Sequence, residues 1–305
     1  MINKYVSVPD FSADKSSVIN YIFAFLFILL MAGAAVIFED NEIILPEIAA
    51  MAVALWVYKT PEWVAQADKI FIVPSVTALI GFGINMLTIS YTAKIGLVLL
   101  AMALMMNAMK FVFPPALATG FLPVVTNAHE WSFMISVVVT TALLMAAVKL
   151  YGFDKSSGRK PEFNQAALWI YTGITLLWTG LTLFFDISQF AVIPPLTVVL
   201  YESLKMKQYP VHMAIKQIIV LNLSITMAVL LWLFISNLLV LSFIFIILMY
   251  LLQAVFSVKI PAVYAFPFLV FVFPAESVLY LPVGSFLVSV FSFGVTFLIK
   301  KKLTI

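Results

Sequence analysis

The sequence contains little charge and no cysteine. Of its 305 residues, 17 are Lys or Arg and 14 are Asp or Glu, so charged residues make up only 10%. Soluble domains average about 25% charged residues, and this chain has too few to cover a water-soluble globule. The missing cysteines exclude disulfides, thiolate metal sites and thiol nucleophiles, and two histidines are too few for a histidine metal cluster. We therefore expect no metal, no cofactor and no enzymatic activity.

Apolar residues are abundant instead. Hydrophobic residues make up 64% of the chain and the mean hydropathy is +1.13, which is typical of a polytopic membrane protein. A membrane span needs about 20 residues, so the chain has no room for an added soluble catalytic domain. Twelve apolar segments follow one another, at residues 18–38, 43–58, 70–89, 93–110, 112–127, 131–150, 166–185, 190–204, 211–235, 237–258, 260–275 and 280–299.

The few basic residues predict the topology. If the N-terminus is cytoplasmic and each segment crosses the membrane, Lys94 alone lies outside, and every other Lys and the single Arg159 lie in the cytoplasm. This is the asymmetry expected from the positive-inside rule. The basic residues are scattered singly, which does not favour nucleic-acid binding. The sequence predicts a multi-pass protein of the cell (inner) membrane with both termini cytoplasmic.

An internal duplication is also predicted. The stretch from Ile43, with Pro46 and Pro61, aligns with the stretch that contains Pro195 and Pro210. A later alignment places Pro115 on Pro261, Asn107 on Gln253 and Glu130 on Glu276. The predicted organisation is membrane repeat one at 1–150, a cytoplasmic linker at 151–165 and membrane repeat two at 166–305. Six segments per repeat predict two parallel halves that are related by a pseudo-twofold axis along the membrane normal.

Four of the twelve segments are shorter than a normal span and begin at proline. They start at Leu45-Pro46, Pro114-Pro115, Pro194-Pro195 and Ile260-Pro261. Proline favours the first turn of a helix, and the residue before it favours an extended conformation. Helices that start inside the membrane would turn their N-termini toward the midplane, which is typical of a substrate site made of broken helices. Alternatively, these prolines cap short helices around aqueous vestibules.

Several residues near these starts are candidates for binding. Glu47 is either a cap at the membrane surface or an intramembrane carboxylate that binds a proton or couples to a cation. Lys259 either balances an anion or extends its amine to the cytoplasmic interface. Asn107 and Gln253 either line a polar path or form packing hydrogen bonds. The candidate substrate-binding residues are Pro46, Glu47, Pro114, Pro115, Ala116, Thr119, Pro194, Pro195, Thr197, Lys259, Pro261 and Tyr264. Gly81 and Gly83 are predicted to be helix-packing notches.

The first half resembles a known family. The stretch from Leu45 to Tyr151 is similar to the integral-membrane HPP family, which is named for a His-Pro-Pro tripeptide followed by small residues. Here the element reads Phe113-Pro114-Pro115-Ala116-Leu117-Ala118-Thr119-Gly120, and KTPEWVAQADK and HEWSFMISVVVTTALLMAAVKLYG resemble the flanking regions. Phe113 replaces the signature histidine, and the alignment places Lys259 at that position in the second half. The resemblance implies a membrane transporter, with nitrite the substrate associated with some members.

We therefore expect an all-α polytopic membrane protein with two tandem six-segment repeats and short proline-led broken or re-entrant helices. The predicted function is a secondary transporter or channel for a small anion such as nitrite. Two alternatives stay open: an exporter of small organic or aromatic acids, and a structural or regulatory membrane subunit that does not transport. The expected partners are a small solute or ion and membrane lipid, with a homo-oligomer left open.

Overall fold

The computed structural model describes residues 15–153 and 162–303, which form helices joined by turns and loops. Residues 154–161, which make up just over half of the predicted linker and include Lys155, Arg159 and Lys160, lie outside the described residues, and so does Lys4. Among the described residues, eight helices are long and apolar enough to cross a membrane. The prediction of an all-helical membrane protein is confirmed.

The described part of the first half contains seven α-helices. They are α1 (Lys15–Ile37), α2 (Pro46–Ala52), α3 (Pro61–Val64), α4 (Ala67–Asn85), α5 (Tyr91–Met109), α6 (Pro114–Thr126) and α7 (Trp131–Leu150). Helix α2 continues into a π-helical stretch, Val53–Val57, and a 3-10 turn at Asn41–Ile43 precedes it. Four of these helices, α1, α4, α5 and α7, are long enough to span.

The second half repeats this order with small differences. Its helices are α8 (Gln165–Phe184), α9 (Pro194–Lys205), α10 (Val211–Trp232), α11 (Leu238–Phe256), α12 (Leu269–Val272), α13 (Ala275–Val278) and α14 (Leu281–Leu303). The eleventh predicted segment is a short apolar helix, Pro261–Val272, that is irregular, because 3-10 turns at Pro261–Tyr264 and Phe266–Phe268 lead into α12. Pro267 has no N–H for a regular helical hydrogen bond, which accounts for the irregularity.

All four proline-led segments begin with the same backbone geometry. The residue before each first proline is extended, with φ and ψ of −114° and 96° at Leu45, −104° and 104° at Phe113, −114° and 106° at Ile193, and −119° and 99° at Ile260. In each segment the amide three positions later donates to the carbonyl of that extended residue, at 2.9 to 3.1 Å. The predicted starts at proline are therefore confirmed.

Basic residues collect at one end of the helix bundle. Lys149 forms an ion pair with Asp68, Lys205 forms one with Glu62, and Lys216 donates to the carbonyl of Phe256. We call this the lysine-rich end. At the opposite end, the Glu42 carboxylate accepts hydrogen bonds from the backbone amides of His129 and Glu130. Lys94 lies at that opposite end, where its amine donates to the carbonyl of Asn85 at 2.6 Å.

Packing between the halves is reciprocal. Helix α1 packs against α11, and α8 packs against α5. Helix α6 packs against α9, and α2 packs against the Pro261–Tyr264 turn. Within the halves, α4 contacts α6 and α7, whereas α10 contacts the Phe266–Phe268 turn and α14. Each half therefore supplies corresponding surfaces to the other.

The packing of α4 on α6 depends on glycine. A Cβ atom added to Gly81 would lie 1.9 Å from the Gly120 carbonyl oxygen, and one added to Gly120 would lie 2.2 Å from the sulfur of Met102. Gly81 is a packing notch as predicted, because only a residue without Cβ permits this approach. Gly83 is not a notch, because a Cβ there would have no heavy atom within 4 Å.

Local features recur 147 residues apart. Glu39 and Asp186 have positive φ angles of 53° and 56°, and Lys110 and Ser257 have φ angles of 49° and 51°. Ser90 and Asn237 each cap a 19-residue helix, α5 or α11, by accepting from the amide three positions later. Every buried residue of α10 also lies 147 positions after a buried residue of α4.

This spacing corrects the alignment that the sequence suggested. The backbone matches Pro114 to Pro261, where the sequence alignment matched Pro115. At the same spacing, Gln253 corresponds to Met106 and not to Asn107, and Ile260 corresponds to Phe113 where Lys259 was expected. Pro46 pairs with Pro194, because both directly follow the extended residue that starts the helix. Where two prolines are adjacent, a sequence alignment can match either of them to a single proline, and only the backbone shows which one occupies the first helical position.

Candidate functional site

The four proline-led segments meet in the middle of the bundle. Helix α2 contacts the Pro261–Tyr264 turn, α6 and α9, and α9 also contacts α6 and that turn. The chain brings most of the candidate substrate-binding residues into this centre. Those buried are Pro46, Glu47, Pro114, Pro115, Ala116, Thr119, Pro194, Pro195, Thr197 and Tyr264. Pro261 is half-buried, whereas Lys259 is exposed at the lysine-rich end.

The helix starts offer fewer amide donors than the sequence suggested. Proline occupies the first helical position of each proline-led segment, and in α6 and α9 it also occupies the second. Only Glu47 and Ala262 therefore carry an N–H group at the second position. At the third position the amide already donates to the carbonyl before the proline. An anion at these helix starts would consequently find few backbone donors.

Glu47 is the unusual group of the centre. It is 2% exposed, and it is the only Asp, Glu, Lys or Arg that is fully buried in the part of the chain that the structure describes. Neither carboxylate oxygen makes a regular hydrogen bond, and the polar groups that face it are its own backbone amide and the Thr119 hydroxyl. The neighbouring hydroxyl belongs to Thr119 on α6, and it donates to the carbonyl of Pro115 at 3.2 Å. A carboxylate buried among so few donors is costly, and within a membrane such a group is by default a functional-site candidate.

A polar cluster surrounds the end of the π-helical stretch. The Tyr58 hydroxyl donates to Gln253 Oε1 at 2.9 Å, and the same oxygen accepts the Ile260 amide at 2.9 Å. The hydroxyls of Tyr21 and Tyr264 neighbour that of Tyr58. Gln253 thus ties the start of the Pro261 segment to the end of the α2 segment. Asn107, its expected partner in the first half, is half-buried elsewhere on α5.

Sequence reasoning found Tyr264 but missed the other tyrosines of this cluster. Tyr21 lies on α1, Tyr58 follows the π-helical stretch, and Tyr250 lies on α11, with its ring 5.1 Å from the ring of Tyr21. No spacing in the sequence connects three separate elements. The sequence offers only one indication of the cluster, which is that tyrosines occur repeatedly in the chain around the proline-led segments.

Two cavities open at opposite ends of the centre. The Asn85 cavity, at the lysine-poor end, has a volume of about 370 Å³ and is bordered by Asn85, Lys94, Asn127, Gln189 and Ser277 among others. The Lys259 cavity, at the lysine-rich end, has a volume of about 300 Å³. Its polar border is formed by Tyr58, Thr60, Glu62, Glu202, Lys205, Gln217 and Lys259. The buried proline-led segments lie between the two cavities.

Comparison with known proteins identifies the first half. The HPP transmembrane region family matches residues 12–160. No curated protein matches the chain, and no solved structure does. The match includes α1 to α7, and therefore Glu47 and the Phe113-Pro114-Pro115 element. Through residues 12–160, this chain carries the transmembrane region of the HPP family.

Proposed function

We propose that the protein moves a small solute across the membrane, as a secondary transporter or channel, without chemically converting it. The proposed solute is a small anion such as nitrite. The protein is an HPP-family membrane protein in its first half, which is consistent with a transporter-like role. The geometry supports the proposal through two end cavities that are separated by broken helices.

The observation that carries this proposal is the Glu47 carboxylate. Helix α2 begins in the buried centre and runs toward the lysine-rich end, so Glu47 lies between the two cavities. Thr119, its neighbour, lies midway along α6, whose last residues border the Asn85 cavity. A carboxylate buried among so few donors destabilises a bundle that has only a structural role, and within a membrane such a group is by default a functional-site candidate.

The charge of Glu47 determines how an anion could pass. An ionised carboxylate in a low-dielectric centre repels an anion, whereas a protonated carboxyl group donates a hydrogen bond to it. We therefore propose that Glu47 takes up a proton when the anion moves past it. The anion and the proton then travel in the same direction, and the proton gradient drives uptake.

Two tandem repeats provide a mechanism for alternating access. The recurrence of buried faces and turn geometry at 147 residues supports a duplication. We propose that the two halves rock against each other and open one cavity at a time, with the proline-led segments re-entrant around the centre. The lysine-rich end would face the cytoplasm of a cell whose inner membrane holds the protein.

Proteoliposomes test the proposal. Purified full-length protein should carry nitrite down an imposed gradient, and Glu47→Gln should lose most of this flux because glutamine cannot exchange a proton. Glu276→Gln is the matched control, since Glu276 is exposed at the lysine-poor end and should transport like the wild type. Equal flux for Glu47→Gln and the wild type would remove Glu47 from the mechanism.

The size of the Lys259 cavity favours a second candidate solute. About 300 Å³ exceeds the space that a three-atom anion needs, and the aromatic rings of Tyr58 and Trp63 border this cavity. An exporter of small organic or aromatic acids would use that space, so the flux assay should include formate and benzoate. A folded protein that moves none of these anions would support the structural or regulatory subunit instead.

A further inference from the structure

The inner wall of the Lys259 cavity leads directly to the tyrosine cluster. Tyr58, Ile260 and Pro261 border the cavity. Tyr264, on the same turn as Pro261, is 1% exposed and lies deeper in the protein. A solute that enters from the lysine-rich end therefore meets the Tyr58 hydroxyl first and the Tyr264 side chain next.

Two groups of this cluster have unused hydrogen-bonding capacity. Gln253 Nε2 is buried and has no hydrogen-bond partner, and the Tyr264 hydroxyl is buried with only the Tyr58 hydroxyl facing it as a close polar neighbour. Gln253 Oε1 already accepts two hydrogen bonds, which fixes the orientation of the amide and leaves the two N–H groups of Nε2 as donors. Buried donors without partners cost free energy, so their retention calls for an explanation.

The fold does not require these polar groups. At the positions 147 or 148 residues away, which occupy the same places in the other half, the side chains are apolar. The corresponding pairs are Tyr21 and Leu168, Tyr58 and Met206, Tyr250 and Ala103, Gln253 and Met106, and Tyr264 and Leu117. Leu168, Ala103, Met106 and Leu117 are all buried. The same backbone packs well with apolar residues, so packing alone does not account for the polar cluster.

We propose that Tyr58, Gln253 and Tyr264 form a binding site for a planar anion with a two-oxygen head, either nitrite or a carboxylate. This inference rests on the proposed transport function and names where the solute binds. The Tyr264 hydroxyl and the Gln253 amide donate to the two oxygens, and the Tyr58 hydroxyl holds that amide in place by donating to Gln253 Oε1. The rings of Tyr21, Phe25 and Tyr250 belong to the same cluster and lie beside the head group.

The electrostatics of the site fit a neutral set of donors. In the cluster itself the donors carry no formal charge, and the cations of Lys205 and Lys259 lie at the border of the cavity. Lys205 is paired with Glu62, and Glu202 also borders the cavity, so the exposed Lys259 is the cation of this border that meets an anion from solution. Glu47 is separated from Tyr58 by eleven residues of helix, or about 16 Å, so its carboxylate does not compete with the anion at the hydroxyls.

Binding to the full-length protein in detergent tests the site separately from transport. Sodium nitrite, sodium formate and sodium benzoate are titrated calorimetrically into the wild type, Tyr264→Phe and Tyr171→Phe. Tyr171→Phe is the matched control, because the Tyr171 hydroxyl is also buried, faces Thr175 and Thr197, and lies on α8 outside the border of the Lys259 cavity. Both variants keep the ring, so each removes only one oxygen atom.

We expect Tyr264→Phe to weaken the affinity for the bound anion by about tenfold, because a hydrogen bond to a charged group is lost. Tyr171→Phe should bind like the wild type. Equal affinity in all three proteins, or an equal loss in both variants, would overturn the site, as would a wild type that binds none of the three anions. Normal binding without flux in vesicles would instead refute the transport function and leave the site standing. The ratio of benzoate to nitrite affinity shows whether the site prefers a small inorganic anion or a carboxylate with an aromatic ring.

Discussion

Helices α1 and α8 bury the same face but fill it with different side chains. On α1 the face contains Ile28, Ala32 and Ala35, and 147 positions later on α8 it contains Thr175, Thr179 and Thr182. The threonine hydroxyls donate within their own helix, at 2.8 to 3.0 Å. The comparison shows that one backbone accepts either apolar or hydroxylated residues of similar size, because the hydroxyls satisfy their hydrogen bonds locally.

The proline-led segments of the two halves differ from each other more than α1 and α8 do. Helix α2 has Glu47 after its proline, whereas α9 has Pro195 at the corresponding position. Thr119, the neighbour of Glu47, corresponds to Phe266. The first half therefore contains a buried carboxylate where the second half is apolar. The threonine hydroxyls of α8 form hydrogen bonds within their own helix, whereas the Glu47 carboxylate oxygens do not. Glu47 is therefore a candidate functional group, and the threonines are polar residues that the fold merely tolerates.

The strongest test of this comparison uses the glycine contact of α4. The residue that corresponds to Gly81 in the second half is Ala228, which is buried without difficulty. Gly81→Ala should nevertheless destabilise the protein by about 3 kcal/mol, since its Cβ would overlap the Gly120 carbonyl, a backbone group that cannot rotate away. Thermal unfolding in detergent measures this loss.

Gly83→Ala is the control for that measurement, because a Cβ there meets no heavy atom within 4 Å. It should leave the unfolding temperature nearly unchanged or raise it slightly, as expected for alanine in a helix. A Gly81→Ala protein as stable as Gly83→Ala would contradict the close crossing of α4 and α6.

Gln253 provides a test of intermediate size. Gln253→Leu would leave the Tyr58 hydroxyl and the Ile260 amide without their acceptor. Leaving such buried groups unpaired should cost about 2 kcal/mol of unfolding free energy. Met106→Leu, at the corresponding position of α5, should cost less than about 1.5 kcal/mol because it exchanges one apolar side chain for another. Equal stability losses would mean that Gln253 only fills space.

The threonine face of α8 should respond least. Thr182→Val removes a hydroxyl whose hydrogen bond goes to the Thr179 carbonyl of the same helix. We expect a change of less than about 1 kcal/mol in unfolding free energy and unchanged nitrite flux. A large loss of flux in Thr182→Val would show that this hydroxylated face takes part in transport, and the contrast between α8 and the Glu47 centre would then fail.

Much of the fold could be predicted because membrane constraints are severe. The eight long helices follow from apolar length, and the four proline starts follow from the fixed φ of proline and its missing N–H. The irregularity of the last short segment was missed, although Pro267 is visible in the sequence. Alignment by residue type also chose the wrong member of two double prolines, at Pro115 and Pro195.

The sequence predicts the proline-led starts and Glu47 in the candidate site, but not most of the tyrosines around them. Glu47 is visible because an acid inside an apolar segment is unusual. The tyrosine cluster is not visible, since Tyr21, Tyr58 and Tyr250 are each ordinary in an apolar chain and become notable only when three elements meet. The small number of free helix-start amides also required the structure, because it depends on where each helix begins.

Proton movement during nitrite transport tests whether Glu47 takes up a proton as the anion passes. Vesicles that contain the protein and an internal pH dye are given an inward nitrite gradient, with protein-free vesicles to correct for leakage. If Glu47 carries the proton, the wild type should acidify the vesicle interior, and Glu47→Gln should cause no acidification above the leak. Nitrite uptake without proton uptake in the wild type, or equal acidification in Glu47→Gln, would contradict the role of Glu47.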